Sequence, residues 1–247
     1  MASYFTQQAK AYAGHRPSYP DELFAWIHEQ MPDAQCVWDC ATGNGQAAVA
    51  LGTYFPQVIA TDHSPAQLEL AVAAKNVEYR LADAFESGLP DHSVDIITVA
   101  QALHWIFGDA FWAEAKRVLK PGGLFVAWTY AQHSFEDSQL TAITDHYHNE
   151  ILKDYWPNRR KHPVNKYSEI ELPFRRVESP SFDLIAEHNL EDHLGYIRSW
   201  SGTQRYINAV GEDPTDTLRN TLAPLWGEPE DRRTVRWPLT VLAGLFA

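Results

Sequence analysis

The sequence predicts an α/β fold built on a doubly wound, mostly parallel sheet of seven strands. Three observations carry this. Short apolar runs alternate strictly with helical patterns from residue 20 to residue 130. One of those runs, in HSVDIITVAQAL (92–103), is apolar almost throughout, as a strand covered on both faces must be. And CVWDCATGNGQ (36–46) passes from an apolar run through a glycine turn straight into a helix, the local pattern of a strand–turn–helix unit.

Residues 3–13 read as a short helix, followed by HRPSYP, an extended segment bounded by proline. PDELFAWIHEQM (20–31) sets Leu23, Phe24 and Ile27 at helical spacing. The first strand is 36–40. GQAAVALGTYF (45–55) is a helix of small and apolar residues, suited to close packing on a sheet. QVIATD (57–62) is the second strand and ends in an acid. SPAQLELAVAAK (64–75) carries a helix start signal, with Ser64 at the N-cap, Pro65 first in the helix and Gln67 where a capping box needs it. NVEYRLAD (76–83) is the third strand and 92–103 holds the fourth. DAFWAEAKRVL (109–119) is a helix ended by Lys120, Pro121, Gly122 and Gly123, and GLFVAWTY (123–130) is the fifth strand.

Beyond Tyr130 the pattern changes. A polar helix over about 135–153 leads into YWPNRRKHPVNKYSEIELPF, rich in charge, rings and proline, so 131–178 reads as a helical insertion or lid before the last two strands. SPSFDLIAE (179–187) is a strand, NLEDHLGYIRSW and TDTLRNTLAPLW are helices, and VRWPLTVLAGLF (235–246) is the closing strand. Its Pro238 demands an edge, a bulge or an extended lead-in. The expected organisation is one domain over 1–247: an N-terminal lid segment (1–20), a ligand-binding core (21–130), the insertion (131–178) and the C-terminal part of the core (179–247).

Composition excludes several functions. Net charge is −12, from 20 Lys and Arg against 32 Asp and Glu, so the basic footprint of a nucleic-acid partner is missing. No apolar run is long enough to span a membrane. MASYFTQQAKAYAG has no apolar signal region, and Cys36 and Cys40 read as core thiols, so a reducing cytoplasm is the expected location, with a monomer or a homodimer as the expected assembly.

In an open α/β sheet, ligands bind beyond the carboxyl ends of the strands. Polar residues cluster at four such ends: Asp39, Gly43, Gly45 and Gln46 after strand one; Asp62 and His63 after strand two, with Gln67 just beyond; Asp83 after strand three; Gln101 and His104 after strand four. The glycines allow close backbone approach, and a carboxylate at Asp62 suits a pair of ribose hydroxyls. GNGQAA also fits the G-x-G-x-x-A dinucleotide pattern, which leaves an NAD-dependent oxidoreductase as the rival. Asp39 separates the two readings. Its charge repels a pyrophosphate and attracts the ammonium and sulfonium of S-adenosylmethionine.

These segments resemble the class I S-adenosylmethionine-dependent methyltransferases with the type 11 methyltransferase domain, and more closely the small-molecule branch containing trans-aconitate methyltransferase. VWDCATGNGQAAVAL, VIATDHSPAQL, VEYRLADAF, VDIITVAQALHW and VLKPGG carry the resemblance, helped by AKAYAGHRPSYP, SWSGTQRY and VRWPL. It implies a Rossmann-like fold and S-adenosylmethionine as cofactor. It further implies that Asp39 and the Gly43–Gly45 turn face the methionine part, Asp62 the ribose, His63 and Gln67 the ribose and adenine, Asp83 and Ala84 the adenine, and Gln101 and Ala102 the methionine part. Phe5, Tyr12 and Arg16 become lid contacts, with Arg16 either pairing with the cofactor carboxylate or forming a surface ion pair. Ala41 departs from the pattern, since the family has its first glycine there.

The acceptor is expected to be a small molecule, an organic acid being one option, and its candidate contacts are His104, Trp105, Tyr130, His133, Arg198 and Trp200. His104 reads as a base, a hydrogen-bond donor or a positioned loop residue. Arg198 reads as a bidentate partner for an acid or as a structural ion pair. The basic stretch PNRRKHPVNK (157–166) is a solvated loop or an attractor of anions. A non-catalytic cofactor-binding protein is the remaining alternative.

Overall fold

A computed structural model describes residues 18–130, 132–157 and 161–246. The expected helix at 3–13 and the lid contacts Phe5, Tyr12 and Arg16 lie outside the described residues.

Helix α1 (Asp21–Gln30) buries Leu23, Phe24, Trp26 and Ile27 along one stripe, the spacing read from the sequence. Strand β1 (Cys36–Cys40) leads through the glycine turn to α2 (Gln46–Leu51), then β2 (Gln57–Asp62). α3 is a single turn, Pro65–Leu68, which shortens the helix expected over 64–75, and Ser64 makes no side-chain cap. The chain leaves the helix early: the Val72 carbonyl is taken by the Tyr79 hydroxyl at 2.8 Å instead of a helical amide. β3 (Val77–Leu81), β4 (Val94–Ala100), α4 (Leu103–Ile106), α5 (Asp109–Val118) and β5 (Leu119–Tyr130) follow. β5 begins earlier than expected. Leu119 pairs with Val94, the Lys120–Gly123 turn swings out, and pairing resumes at Leu124 opposite Ile96.

The first five strands are all parallel, in the order β3-β2-β1-β4-β5. Strand order reverses between β1 and β4, so the crevice for a ligand opens at their carboxyl ends. The final strand, β9 (Arg233–Leu245), lies antiparallel to β5.

The sheet holds nine strand segments in seven lanes. β5 pairs with Leu239–Leu245 of β9, and β6 (Ser134–Phe135) continues the same lane against Arg236 and Val235. On the other side of β9, β7 (Arg175–Val177) pairs with Ala243–Leu245 and β8 (Asp183–His188) with Arg233–Pro238. Each of these lanes carries one residue more than β9 does across the same step. Pro238 sits where β9 changes neighbours, opposite Asp183, and the bulged junction spares it the ladder bond it cannot make.

Period-two alternation sorts the core to the two sheet faces. Cys36, Trp38 and Cys40 join a cluster with Leu103, Phe111 and Phe125, while Val37 joins one with Leu23, Leu51 and Val126. A third cluster forms under the C-terminal helices from Tyr130, Phe135, Tyr196, Trp200, Trp226 and Trp237. Those helices are α6 (Ser138–His146), capped by Asp137 and continued by a wider turn over Tyr147–Ile151; α7 (Lys161–Val164); α8 (Leu190–Arg198), with a full Asn189–Asp192 capping box; α9 (Ser201–Val210); and α10 (Thr215–Trp226). Among the described residues no helix is long and apolar enough to cross a membrane.

Candidate active site

The turn after β1 uses the left-handed region three times, at Ala41 (φ +55°), Gly43 (φ +60°) and Gly45 (φ +83°). For Ala41 that conformation costs about 1–2 kcal/mol, so the turn keeps its shape even where a Cβ replaces the expected glycine. Its neighbours hold it. Thr42 N–H donates to the Thr61 carbonyl at 2.9 Å, and Gly43 N–H donates to Asp62 Oδ2 at 2.8 Å. Asp62 Oδ1 accepts from Ser64 N–H at 2.9 Å, so one buried carboxylate ties the turns after β1 and β2 together.

Gly45 is required by space as well as by φ. A Cβ there would sit 2.2 Å from the Tyr79 hydroxyl, whereas at Gly43 it would meet only Gln67 Oε1, at 3.8 Å. Gly45→Ala is therefore expected to cost about 2 kcal/mol or more, the backbone strain plus displacement of the ring. Gly43→Ala is expected to cost only the backbone share, about 1 kcal/mol. Urea denaturation of the two variants side by side checks the order.

Asp39 lies beneath the turn, not in it. Its side chain is 0% exposed, and its two oxygens accept from Thr42 Oγ1 at 2.5 Å and Thr98 Oγ1 at 2.6 Å. The register explains the second bond, since Asp39 faces Thr98 across the β1–β4 ladder. From there Asp39 shapes the turn and places its carboxylate directly beneath it. Burial raises its pKa to about 6, the two threonine hydroxyls oppose the rise and the Asp62 charge adds to it.

The folded pKa of Asp39 exceeds the unfolded one, so its stabilising contribution is present below pH 3.8 and lost as pH rises through 6. Asp39→Asn, which retains the threonine bonds by hydroxyl rotation, is expected to raise stability by about 1–2 kcal/mol at pH 8 and by nothing at pH 3.5. Thermal unfolding of the ligand-free protein at the two pH values reads the difference.

Gln101, at the end of β4, also adopts a left-handed backbone (φ +56°). Its Oε1 accepts from Thr129 Oγ1 at 2.9 Å, while its buried Nε2 has no partner among the described residues. A buried amide donor without an acceptor is costly, and a cofactor carboxylate or carbonyl would satisfy it. The strained cradle, the tying carboxylate and this orphaned donor all fit S-adenosylmethionine. Of the remaining expected contacts, Ala102 is buried next to Gln101, Gln67 is half-buried beside the turn, and Ala84 is half-buried. Gln46 and Asp83 are exposed, Asp83 accepting from Phe85 N–H at 2.9 Å. His63 is exposed, with Nδ1 3.5 Å from Asp62.

The acceptor candidates divide. His104 is 5% exposed, packs 4.9 Å from the Trp105 ring and meets the Tyr167 hydroxyl through Nδ1 at 3.2 Å. His133 packs against Trp200, a member of the third core cluster, with ring centres 5.9 Å apart, and Tyr130 belongs to the same cluster. Arg198 takes its structural reading. Its Nε donates to Asp213 at 2.6 Å and its Nη2 to Thr215 Oγ1 at 2.7 Å, which joins α8 to the start of α10. Two of the three guanidinium nitrogens are engaged in that tie.

Sequence reasoning missed Tyr167 and His193, while a polar signal for Thr98 was present in the otherwise apolar VDIITVA. Both ring nitrogens of His133 and of His193 are buried with no partner among the described residues, the two rings 4.9 Å apart. Burial lowers the His133 pKa to about 3 and that of His193 well below the usual value, with the neighbouring imidazoles adding to each shift. Among the described residues no group of His, Cys, Asp and Glu could hold a metal ion.

Comparisons with known proteins agree with this geometry. A family model described as a methyltransferase domain matches residues 38–127. A Dictyostelium discoideum protein named as a methyltransferase is 34% identical over 221 residues, covering 88% of this chain and 84% of its own. A Saccharomyces cerevisiae protein named as an S-adenosylmethionine-dependent methyltransferase is 25% identical, covering 77% of each chain. A solved structure from Anaeromyxobacter dehalogenans, titled a type II methyltransferase, is 35% identical, with a TM-score of 0.87 over 94% of this chain and 98% of that one.

Proposed function

Because this chain belongs to the class I S-adenosylmethionine-dependent methyltransferases, we propose that it methylates a small molecule, and that this molecule is a carboxylic acid. The family membership sets aside the dinucleotide oxidoreductase that GNGQAA alone allowed. When bound, the cofactor supplies an electrophilic methyl group on a sulfonium.

The chain's own residues bind, orient and exclude water. The Ala41–Gly45 turn and Gln101 hold the methionine end, and Asp62 accepts from the ribose hydroxyls. His63, Gln67, Asp83 and Ala84 border the adenine side. Trp105 walls the acceptor space beyond β4, and His104 contacts the acceptor. Holding two reactants at near-attack distance is worth roughly 7–11 kcal/mol in favourable cases, so positioning alone can carry much of the rate.

The observation that carries the acid reading is what lies against His104 at the end of β4, an aromatic ring and a phenol hydroxyl, neither of which is a base at neutral pH. A carboxylate needs no proton removed before attack, whereas a hydroxyl or ammonium does. The basic stretch 157–166 supports an anionic acceptor in the same sense.

A screen with isotope-labelled methyl donor over small carboxylic acids, phenols and amines tests this. Label recovered as a methyl ester is the expected result, and label confined to phenols or amines overturns the acid reading. With the acceptor so found, His104→Ala is expected to lower kcat about ten-fold or more while leaving S-adenosylhomocysteine affinity within two-fold.

A further inference from the structure

β3 ends the sheet on the side away from β9, and β2 is its only partner among the described residues. Its even-numbered residues carry that ladder: the Asn76 carbonyl accepts from Val58 N–H at 2.9 Å, and Ala82 N–H donates to the Asp62 carbonyl at 3.1 Å. Successive residues of a strand turn their peptide groups to opposite sides, so Tyr79 and Leu81 present N–H and C=O to the outer edge. Such an edge is a template for a further strand unless something blunts it. Here five residues run in unbroken register, with no proline and no bulge. Leu81 is 63% exposed on the strand, and Val72 and Phe85, shortly before and after it, are exposed as well.

The charges along the edge point to its occupant. Glu78 and Arg80 flank Tyr79 and share one face of the strand. Charges of a single sign would repel a second copy, which is one way an edge is kept solitary. One of each sign, placed symmetrically, does the opposite. A two-fold axis at Tyr79 lays Glu78 of each copy opposite Arg80 of the other, Tyr79 opposite Tyr79 and Leu81 opposite Val77. Within one chain Glu78 already accepts from Arg80 at 2.7 and 2.8 Å, so the four side chains form a square of alternating sign. The same register pairs the outward peptide groups. Tyr79 N–H meets the Tyr79 carbonyl of the other copy, and Leu81 N–H meets the Val77 carbonyl. Val77 N–H stays with the Ala74 carbonyl of its own chain, at 3.2 Å.

We propose that β3 is a self-association surface, through which two copies of this chain pair antiparallel about Tyr79 into one continuous sheet. A contact between two five-residue strands lies at the small end of protein interfaces, so the association is reversible, with a Kd on the order of 10 μM.

Sedimentation equilibrium of the full chain from about 1 to 200 μM tests this. The mass is expected to rise from one chain toward two. Glu78→Arg and Arg80→Glu are each expected to weaken the dimer about ten-fold or more, because each sets like charges opposite one another twice. The two changes together restore opposite charges, and are expected to bring the affinity back to within about three-fold. An ion pair serving only its own strand would shift the urea midpoint of the single variants and leave the mass alone. A chain that stays single across the range overturns the proposal, as does a dimer that the single reversals leave intact or the double reversal fails to restore. Should a variant not fold, amide exchange in the wild type decides: Tyr79 and Leu81 N–H are expected to slow on concentration, and unchanged rates overturn the pairing.

Discussion

Acidification from pH 8 to pH 4.5 is expected to lower the stability of this protein, through two imidazoles packed against the third core cluster. His133 and His193 are buried beside each other among Phe135, Tyr196, Trp226 and Trp237, and their folded pKa values lie below the unfolded value of 6.5. The unfolded chain takes up protons at these residues below pH 6.5 while the folded one does not. Stability is therefore complete above 6.5 and falls with pH, down to about 3 for His133. Within that window His133 contributes a loss on the order of 1 kcal/mol per pH unit, and His193 a loss of the same sign. Asp39 works the other way. Its raised pKa returns about 2 kcal/mol over the same interval. Urea midpoints across pH 4.5–8 for the wild type, His133→Phe and His193→Phe check this. Each substitution should flatten the slope, and equal slopes in all three proteins would exclude the two imidazoles as its source.

Asp62→Ala is expected to weaken binding of S-adenosylhomocysteine on the order of 100-fold, since hydrogen bonds to a charged group are worth about 1.5–3 kcal/mol. Two losses combine. The ribose hydroxyls lose their charged acceptor, and Gly43 N–H loses the Oδ2 that holds the turn. Asp62→Asn keeps an oxygen for one of the two amides it now serves, and should fall between the wild type and the alanine variant. Calorimetry reads all three, and an unchanged affinity in Asp62→Ala removes Asp62 from the ribose.

Much of this molecule was legible in one dimension. The alternation of elements through residue 130, the acids at successive strand ends and the glycine turn specify the parallel half of the sheet and the cofactor cradle, because period, turn chemistry and charge at a strand end are local properties. Helix α10 and strand β2 fall on the residues read from the sequence. The tail was also readable as elements, though not the way β5 with β6 and β7 with β8 share lanes around β9.

What the tertiary structure alone decided is which partner each polar side chain takes. Arg198 had a good pattern for an acid and spends it on Asp213, Asp39 had the right place for a ligand and turns to Thr42 and Thr98, and Tyr167 gave no signal until it met His104. The physical reason is one of range. Backbone periodicity and turn preference act within a few residues, whereas a hydrogen bond or ion pair goes to whichever group folding brings within about 3 Å, and that distance bears no relation to separation along the chain.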